Sequence, residues 1–227
     1  MAQIKTVLIT GATGNVGVAC NEHFTDQNWE TMQWSKRGGE CVYPVDLARW
    51  HSSAYALTKT PKFDMVIMAH GYQKPSLIQH FSEALWCDIL HNNLTSCVAL
   101  TSNLIKLDKL NPGALLVYCS SIQANTPRVG RGAYAAAKAG LEAFMKTTAV
   151  ELAPQNVRAV ALRLGQLTKT MGGVQFSDDE RAKLEARAML PWVNPNDVAK
   201  LCLDLYSQNS MTGCVIDLDS GHGQNVW

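Results

Sequence analysis

The sequence predicts an α/β fold: a doubly wound, mainly parallel sheet of seven strands with helices on both faces. Short runs rich in apolar and β-branched residues alternate with segments of helical length. Several of the short runs are apolar at successive positions, which is typical of parallel strands covered on both sides. The alternation extends along all 227 residues without a linker or repeat, so we expect one domain, 1–227.

The predicted strands occupy 5–10, 30–34, 41–45, 63–69, 114–120, 157–164 and 214–218. The predicted helices follow the first strand as far as about residue 26 and then occupy 47–58, 76–107, 133–152, 178–189 and 195–208. The segment 76–107 is long enough for two helices or one bent helix. Ser177 and Glu180 form a capping box, and Asn194 followed by Pro195 predicts an N-cap with proline at the first helical position.

The composition restricts the function classes. Hydrophobic residues make up 47% of the chain, charged residues 17%, and the net charge is +1, so no basic surface for nucleic acid is indicated. No apolar run approaches the ~18 residues of a membrane helix. The first residues carry no charged leader, and the seven cysteines lack a C-x-x-C pair. We therefore expect a cytoplasmic protein with reduced thiols, without a metal site or a membrane partner.

A glycine-rich turn follows the first strand in "TVLITGATGNVG". Gly11, Gly14 and Gly17 are spaced G-x-x-G-x-x-G, directly before a predicted helix. Glycine permits a tight turn and a close approach of the backbone, and a helix N-terminus offers free N–H groups to phosphate. The spacing differs from the common G-x-G-x-x-G, and glycines also serve purely steric roles in such turns. A dinucleotide pyrophosphate site is the favoured interpretation.

The end of the second strand indicates which dinucleotide binds. An acidic residue at this place would favour NAD, whereas a basic residue accommodates the 2′-phosphate of NADP. Ser35, Lys36 and Arg37 stand there, so NADP is favoured and NAD stays possible; an exposed basic turn is the alternative. After the third strand, Asp46 either accepts from an adenine amino group or caps the next helix.

Tyr134 and Lys138 lie four apart in a predicted helix and therefore on the same face. A nearby ammonium stabilises a phenolate, which helps the phenol to exchange a proton near neutral pH. The pair alone is common in structural helices. Ser121, however, ends the preceding strand in "CSSIQ", thirteen residues before Tyr134, and its hydroxyl can bind a carbonyl oxygen beside the phenol.

With these motifs in order along the whole chain, the sequence resembles the short-chain dehydrogenase/reductase superfamily. The resemblance implies a Rossmann-like fold and a catalytic set of Asn93, Ser121, Tyr134 and Lys138. Tyr134 would donate or accept the proton, Ser121 would orient the oxygen, and Lys138 would favour ionisation of Tyr134 and hold the nicotinamide ribose. Asn93, in "HNNLT", would support a water in a proton relay to the lysine.

The glycine turn, the basic turn and the resemblance together predict a cofactor site. It comprises Gly11, Thr13, Gly14, Asn15, Val16, Gly17, Ser35, Lys36, Arg37, Asp46, Leu47, Ala69, His70, Gly71, Tyr134, Lys138, Gly165 and Leu167. The sequence departs from the family after the fourth strand, where paired asparagines are replaced by Met68-Ala69-His70-Gly71. It also has Leu164-Gly165 in place of Pro-Gly. His70 either supplies a missing hydrogen bond in its turn or faces the cofactor.

The resemblance implies a substrate lid at about 166–192 and a homodimer or homotetramer joined through helices 76–107 and 133–152. Met171, Phe176, Met189 and Trp192 either line an apolar pocket or pack the lid on the core. Arg128 and Arg131 either attract an anionic substrate or are solvated, and the second is favoured. The short lid indicates a compact small-molecule substrate.

The leading hypothesis is an NADP-dependent oxidoreductase, either a carbonyl reductase or an alcohol dehydrogenase. The alternatives are a non-catalytic NADP-binding regulator and an epimerase on the same fold. The set Asn93, Ser121, Tyr134 and Lys138 counts against a regulator, because a sensor needs no phenol and ammonium beside a serine. The small C-terminal region counts against an epimerase.

Overall fold

A single seven-stranded sheet organises the computed structural model, which describes residues 4–126, 128–168, 177–186 and 189–224. The strands are β1 (Thr6–Thr10), β2 (Glu30–Ser35), β3 (Tyr43–Pro44), β4 (Phe63–Met68), β5 (Leu110–Ser121), β6 (Arg158–Leu164) and β7 (Val215–Leu218). Their order across the sheet is β3-β2-β1-β4-β5-β6-β7, and every paired strand is parallel to its neighbour. The Rossmann-like doubly wound fold predicted from the sequence is confirmed.

The helices are α1 (Asn15–Asp26), α2 (Trp50–Leu57), α3 (Glu83–Leu90), α4 (Ser96–Lys106), α5 (Gly132–Leu152), α6 (Asp178–Glu185) and α7 (Pro195–Ser207). Single turns of 3₁₀-helix occur at Ile78–His80, Ile122–Ala124, Ala153–Gln155 and His222–Gln224, and one π-turn spans His91–Thr95. Asn194 caps α7 as predicted, since its side chain accepts from Asn196 N. The side chain of Glu180, the second member of the predicted capping box, lies outside the described part of the structure.

The sheet has a hydrophobic core on each face, because successive strand residues point to opposite sides. In β1, Leu8 joins the core beneath α2, α4 and α5, while Val7 and Ile9 join the core beneath α1 and α7. All five residues of β1 are buried, and its three central residues are apolar. Among the described helices, none combines the length and apolarity that a membrane span requires.

The segment predicted to be one bent helix or two is a near-continuous helix with a π-turn in the middle. α3 leads into His91–Thr95, and α4 follows without a break. A π-turn inserts an extra residue into the helical register and frequently occurs at functional sites. Asn93 lies within it and is fully buried. The edge strand β3, in contrast, has two residues where five were predicted, and Cys41 just before it has φ = 57°.

Candidate active site

The predicted site residues converge at the carboxyl edge of the sheet. β1 and β4 are neighbours although they are distant in sequence, so their connections leave to opposite sides and open a crevice between them. Ligands of doubly wound folds bind at such a switch point. The turns after β1, β2, β4, β5 and β6 all end at this edge and carry the predicted cofactor and catalytic positions.

The glycine turn between β1 and α1 is closely packed. Gly11 has φ = +67°, and a Cβ on it would lie 2.7 Å from the Cα of His70, so a side chain cannot be accommodated. A Cβ on Gly17 would lie 2.4 Å from the carbonyl oxygen of Gly11. Gly14 is the N-cap of α1 and provides no side-chain cap. The N-terminus of α1 therefore presents N–H groups without a capping side chain, which fits a pyrophosphate.

The basic turn after β2 lies at the surface. Lys36 and Arg37 are exposed, and the Lys36 ammonium lies 3.4 Å from the Asp46 carboxylate. Arg37 makes no ion pair with any residue that the structure describes. Ser35 is buried, and its hydroxyl accepts from Gly38 N at 3.1 Å, which fixes the turn. The turn thus carries cationic side chains next to a buried hydroxyl. Both kinds of group can form hydrogen bonds with a phosphate.

Asp46 does not cap α2, so that predicted alternative is wrong. The N-cap of α2 is Arg49, three residues later. The Asp46 carboxylate instead accepts from Ala48 N at 3.3 Å and pairs with Lys36 and Arg49. It therefore organises the turn that precedes α2.

Tyr134 and Lys138 share the buried face of α5, as their spacing predicts. The Lys138 ammonium lies 5.6 Å from the centre of the Tyr134 ring and donates to the Cys119 carbonyl oxygen at 2.7 Å. Ser121 is two residues beyond Cys119 on β5, and its hydroxyl accepts from Gln123 N at 3.3 Å. The lysine thus connects the helix that carries the phenol to the strand that carries the serine.

Asn93 holds the loop that follows β4. Its Oδ1 accepts from Tyr72 N at 3.1 Å, and its Nδ2 donates to Tyr72 O at 2.6 Å and to Ile89 O at 2.8 Å. These three hydrogen bonds use both N–H groups of the buried side-chain amide and one of the two lone pairs of its oxygen.

His70 supplies the hydrogen bonds that the altered β4 turn lacks, as one of the two sequence interpretations proposes. Its Nδ1 lies 2.6 Å from Thr10 Oγ1, and its Nε2 lies 2.8 Å from Ser96 Oγ. Burial, and to a smaller extent the charge of Lys138, lower the pKa of His70 to about 3. Some of the residue's surface stays accessible from the crevice. The sequence did not identify Thr10 or Ser96 as its partners.

Both arginines near the start of α5 have protein partners. Arg131 Nη1 donates to Gln73 Oε1 at 2.8 Å, and Arg128 contacts the ring of the buried His222. Burial lowers the pKa of Arg131. The favoured expectation that both arginines are simply solvated is therefore wrong.

The two ends of the predicted lid pair with each other outside the seven-stranded sheet. Leu167 pairs with Val193, and Thr168 N donates to Val193 O at 3.0 Å. Trp192 is buried, whereas Met189 is 75% exposed and lies over Gly221. Met171 and Phe176 lie outside the described residues.

Comparison with known proteins agrees with this geometry. The family model for enoyl-(acyl carrier protein) reductase matches residues 14–222. The chain belongs to the short-chain dehydrogenase/reductase superfamily. It is an NAD(P)-dependent oxidoreductase of that superfamily, and the resemblance inferred from the motifs is confirmed.

Two relatives illustrate the match. The 3-oxoacyl-(acyl-carrier-protein) reductase FabG of Chlamydia pneumoniae is 28% identical over a gapped alignment of 242 positions that covers 96% of each chain. The structure of a short chain dehydrogenase family protein from Francisella tularensis superposes with a TM-score of 0.86 at 21% identity, covering 98% of this chain and 100% of that one.

A 4-hydroxyisoleucine dehydrogenase solved with NADH superposes with a TM-score of 0.84 at 19% identity, covering 96% of this chain and 98% of that one. Because these two solved structures are less than 25% identical to the chain, their superpositions establish only its short-chain dehydrogenase/reductase fold. The assignment to the family and its oxidoreductase chemistry depend on the sequence matches.

Proposed function

We propose that the protein is an NADPH-dependent carbonyl reductase whose proton donor is Tyr134. The observation that carries this proposal is the buried contact of Lys138 with both the Tyr134 ring and the carbonyl of Cys119, two residues before Ser121. It assembles a phenol, an ammonium and a hydroxyl at the sheet edge where dinucleotides bind in this fold. A bound nicotinamide cofactor supplies the hydride in such a reaction.

Each residue then has a defined task. The Ser121 hydroxyl donates to the substrate carbonyl oxygen and polarises it. The Tyr134 hydroxyl gives its proton to the same oxygen, so that the carbonyl becomes an alcohol. The Lys138 ammonium stabilises the phenolate that is left. Asn93, which is buried within the π-turn, supports a water in a proton relay to Lys138.

NADPH is favoured over NADH because of the charges at the end of β2. Lys36 and Arg37 are exposed there, and positions 35–37 hold no acidic residue of the kind that binds a ribose hydroxyl in folds that prefer NAD. The N-terminus of α1 also suits this cofactor, because its N–H groups have no capping side chain and can bind the pyrophosphate. The relative from Chlamydia pneumoniae is a 3-oxoacyl reductase, so 3-oxoacyl thioesters are the first substrates to test.

The proposal further includes one domain, a lid at about 166–192 and assembly as a homodimer or homotetramer through the helical segment around α4 and through α5. The outer face of α5 is exposed and consists of small residues around Ala136, Ala139 and Ala143, which permits close packing against another copy. Light scattering of the purified chain tests this assembly, and a monomer mass contradicts it.

The test is a fluorescence titration with NADPH and separately with NADH, followed by an assay of 3-oxoacyl thioesters and small ketones. We expect NADPH to bind at least about tenfold more tightly, because a 2′-phosphate adds charge-assisted hydrogen bonds. Oxidation of NADPH in step with alcohol formation supports the reductase. Tight NADH binding overturns the cofactor choice alone, whereas binding of neither nucleotide contradicts the proposed function.

A further inference from the structure

His70 lies at the centre of the site but has no task in the proton transfer. It follows β4 at the switch point, between the glycine turn and the helical segment of Asn93. Its two ring nitrogens contact two different elements, Thr10 at the end of β1 and Ser96 at the start of α4. Both hydroxyl partners are almost completely buried, at 0% and 1% exposure, so neither can exchange its imidazole bond for water.

The chemistry of the ring suits this double contact. A neutral imidazole carries one N–H donor and one acceptor nitrogen, and a hydroxyl can serve as the partner of either. The Thr10 hydroxyl has a second partner in the carbonyl oxygen of Ile67, at 3.4 Å. Whichever nitrogen carries the proton, the neutral ring can satisfy both contacts, 2.6 Å to Thr10 and 2.8 Å to Ser96.

Each end of this bridge is next to a group that the reaction needs. Thr10 immediately precedes Gly11, whose backbone rests on the main chain of His70. Ser96 is three residues beyond Asn93 and is the first residue of α4 after the π-turn. Cys97, the next residue of α4, also approaches His70 Nε2, at 3.5 Å. A shift of the ring would therefore move the pyrophosphate turn and the Asn93 segment relative to each other.

We propose that His70 is a positioning residue, and that the bridge Thr10–His70–Ser96 makes the glycine turn and the Asn93 segment move as one unit. This inference rests on the proposed function, because it assigns cofactor binding to the first element and proton supply to the second. Loss of either bond then weakens NADPH binding and slows turnover together. A merely structural histidine would change stability alone.

Two substitutions cut the bridge at one end each. In His70→Asn, the side-chain amide occupies the position of Nδ1 and keeps the hydrogen bond to Thr10. In His70→Gln, the longer side chain places its amide at the position of Nε2 and keeps the hydrogen bond to Ser96. Ser96→Ala removes the same bond as His70→Asn from the other side. We expect each to raise the NADPH Kd and lower kcat by about five- to thirtyfold. The double variant His70→Asn/Ser96→Ala should be no worse than either alone, because the same bond is lost.

Thr101→Val is the matched control. Thr101 is also a buried hydroxyl of α4, and it bonds Tyr118 at 2.8 Å away from the bridge. We expect this variant to lose stability but to keep its NADPH Kd and its kcat. Wild-type values of both constants in folded His70→Asn, His70→Gln and Ser96→Ala would overturn the proposal, as would additive losses in the double variant.

A second readout does not depend on activity. In the ¹⁵N-histidine NMR spectrum of the cofactor-free protein, we expect His70 to stay neutral in one tautomer from pH 8 to pH 5. A His70 signal that titrates between pH 8 and pH 5 overturns the bridge. If the bridge is intact and the wild-type protein binds neither nucleotide, the proposed function fails instead.

Discussion

Arg163 on β6 binds both carboxylate oxygens of Glu142 on α5, with Nε 3.0 Å from Oε1 and Nη2 2.6 Å from Oε2. The Ser120 hydroxyl donates to the same Oε1 at 2.6 Å. Glu142 is one helical turn beyond Lys138 and is 7% exposed. The pair therefore fixes the catalytic helix to the sheet immediately behind the proposed active site, where a bidentate geometry gives direction as well as attraction.

Replacing Arg163 with Met should cost about 3 kcal/mol of unfolding free energy or more, because it leaves the Glu142 carboxylate buried without its cation. Asp217→Asn is the matched control. Asp217 accepts from the same arginine at 3.0 Å, but its side chain is 42% exposed, so its loss should cost less than about 1 kcal/mol. Urea unfolding of both variants measures the difference. Equal losses would show that burial of the ion pair is unimportant.

Tyr134→Phe should lower kcat by at least about a hundredfold, because the carbonyl oxygen loses its proton donor. NADPH affinity should stay within about twofold, since the ring and its packing remain. Tyr118→Phe controls for the loss of a buried hydroxyl; Tyr118 is fully buried and bonds Thr101. The Tyr118→Phe substitution should cost about 1 kcal/mol of stability and leave turnover intact. Single-turnover kinetics distinguish the Tyr134→Phe and Tyr118→Phe variants, and a normal rate for Tyr134→Phe contradicts the proposed mechanism.

Arg37→Ala should weaken NADPH binding about tenfold or more and leave NADH binding nearly unchanged, because only NADPH carries the 2′-phosphate. Arg49→Ala removes an equal charge from the same side of the site. Arg49 is 82% exposed and lies 3.7 Å from the Asp46 carboxylate, so its loss should hardly affect either nucleotide. Titrations at two salt concentrations measure both. If the two variants weaken NADPH equally, general charge and not Arg37 selects the cofactor.

Most of the fold could be predicted from the sequence because its signals are local. The buried strands are apolar on both faces, and Asn194-Pro195 defines the start of α7 within its own few residues. The edge strand β3 was overestimated, because a run such as "CVYPV" does not reveal that Cys41 takes a positive φ. The sequence left open whether the long helical segment is two helices or one bent helix, because it does not reveal the π-turn around Asn93 that joins α3 to α4.

The site was predictable only where a side chain has a typical spacing. Tyr134 and Lys138 satisfy the helical period, but the acceptor of the lysine is the main-chain carbonyl of Cys119, which no residue type indicates. The partners of His70 are 60 residues before it and 26 after it, so sequence proximity gives no indication of either. Such contacts follow from the order of the strands.

The burial of His70 predicts a specific sensitivity to acid. Its pKa is lowered to about 3 in the folded protein, whereas the unfolded chain has the ordinary value near 6.5. The folded state therefore favours the neutral ring. The contribution of His70 to folding stability is complete above pH 6.5 and is lost as the pH falls toward 3. In this range the histidine of the unfolded chain is protonated, whereas that of the folded chain stays neutral. Between pH 7 and pH 5 the loss should amount to about 2 kcal/mol.

His70→Gln isolates this contribution, because glutamine keeps the Ser96 bond and does not titrate. Two other groups act on the ring: the Lys138 ammonium lowers its pKa, and the Cys97 thiol lies 3.5 Å from its Nε2. Burial raises the pKa of Cys97 to about 11, so the thiol keeps its proton throughout this range. Urea unfolding at pH 7, 6 and 5 should show a pH slope for the wild-type protein that is steeper than that of the variant by the His70 contribution. Parallel slopes would mean that the imidazole accepts a proton in the folded protein as readily as in the unfolded chain.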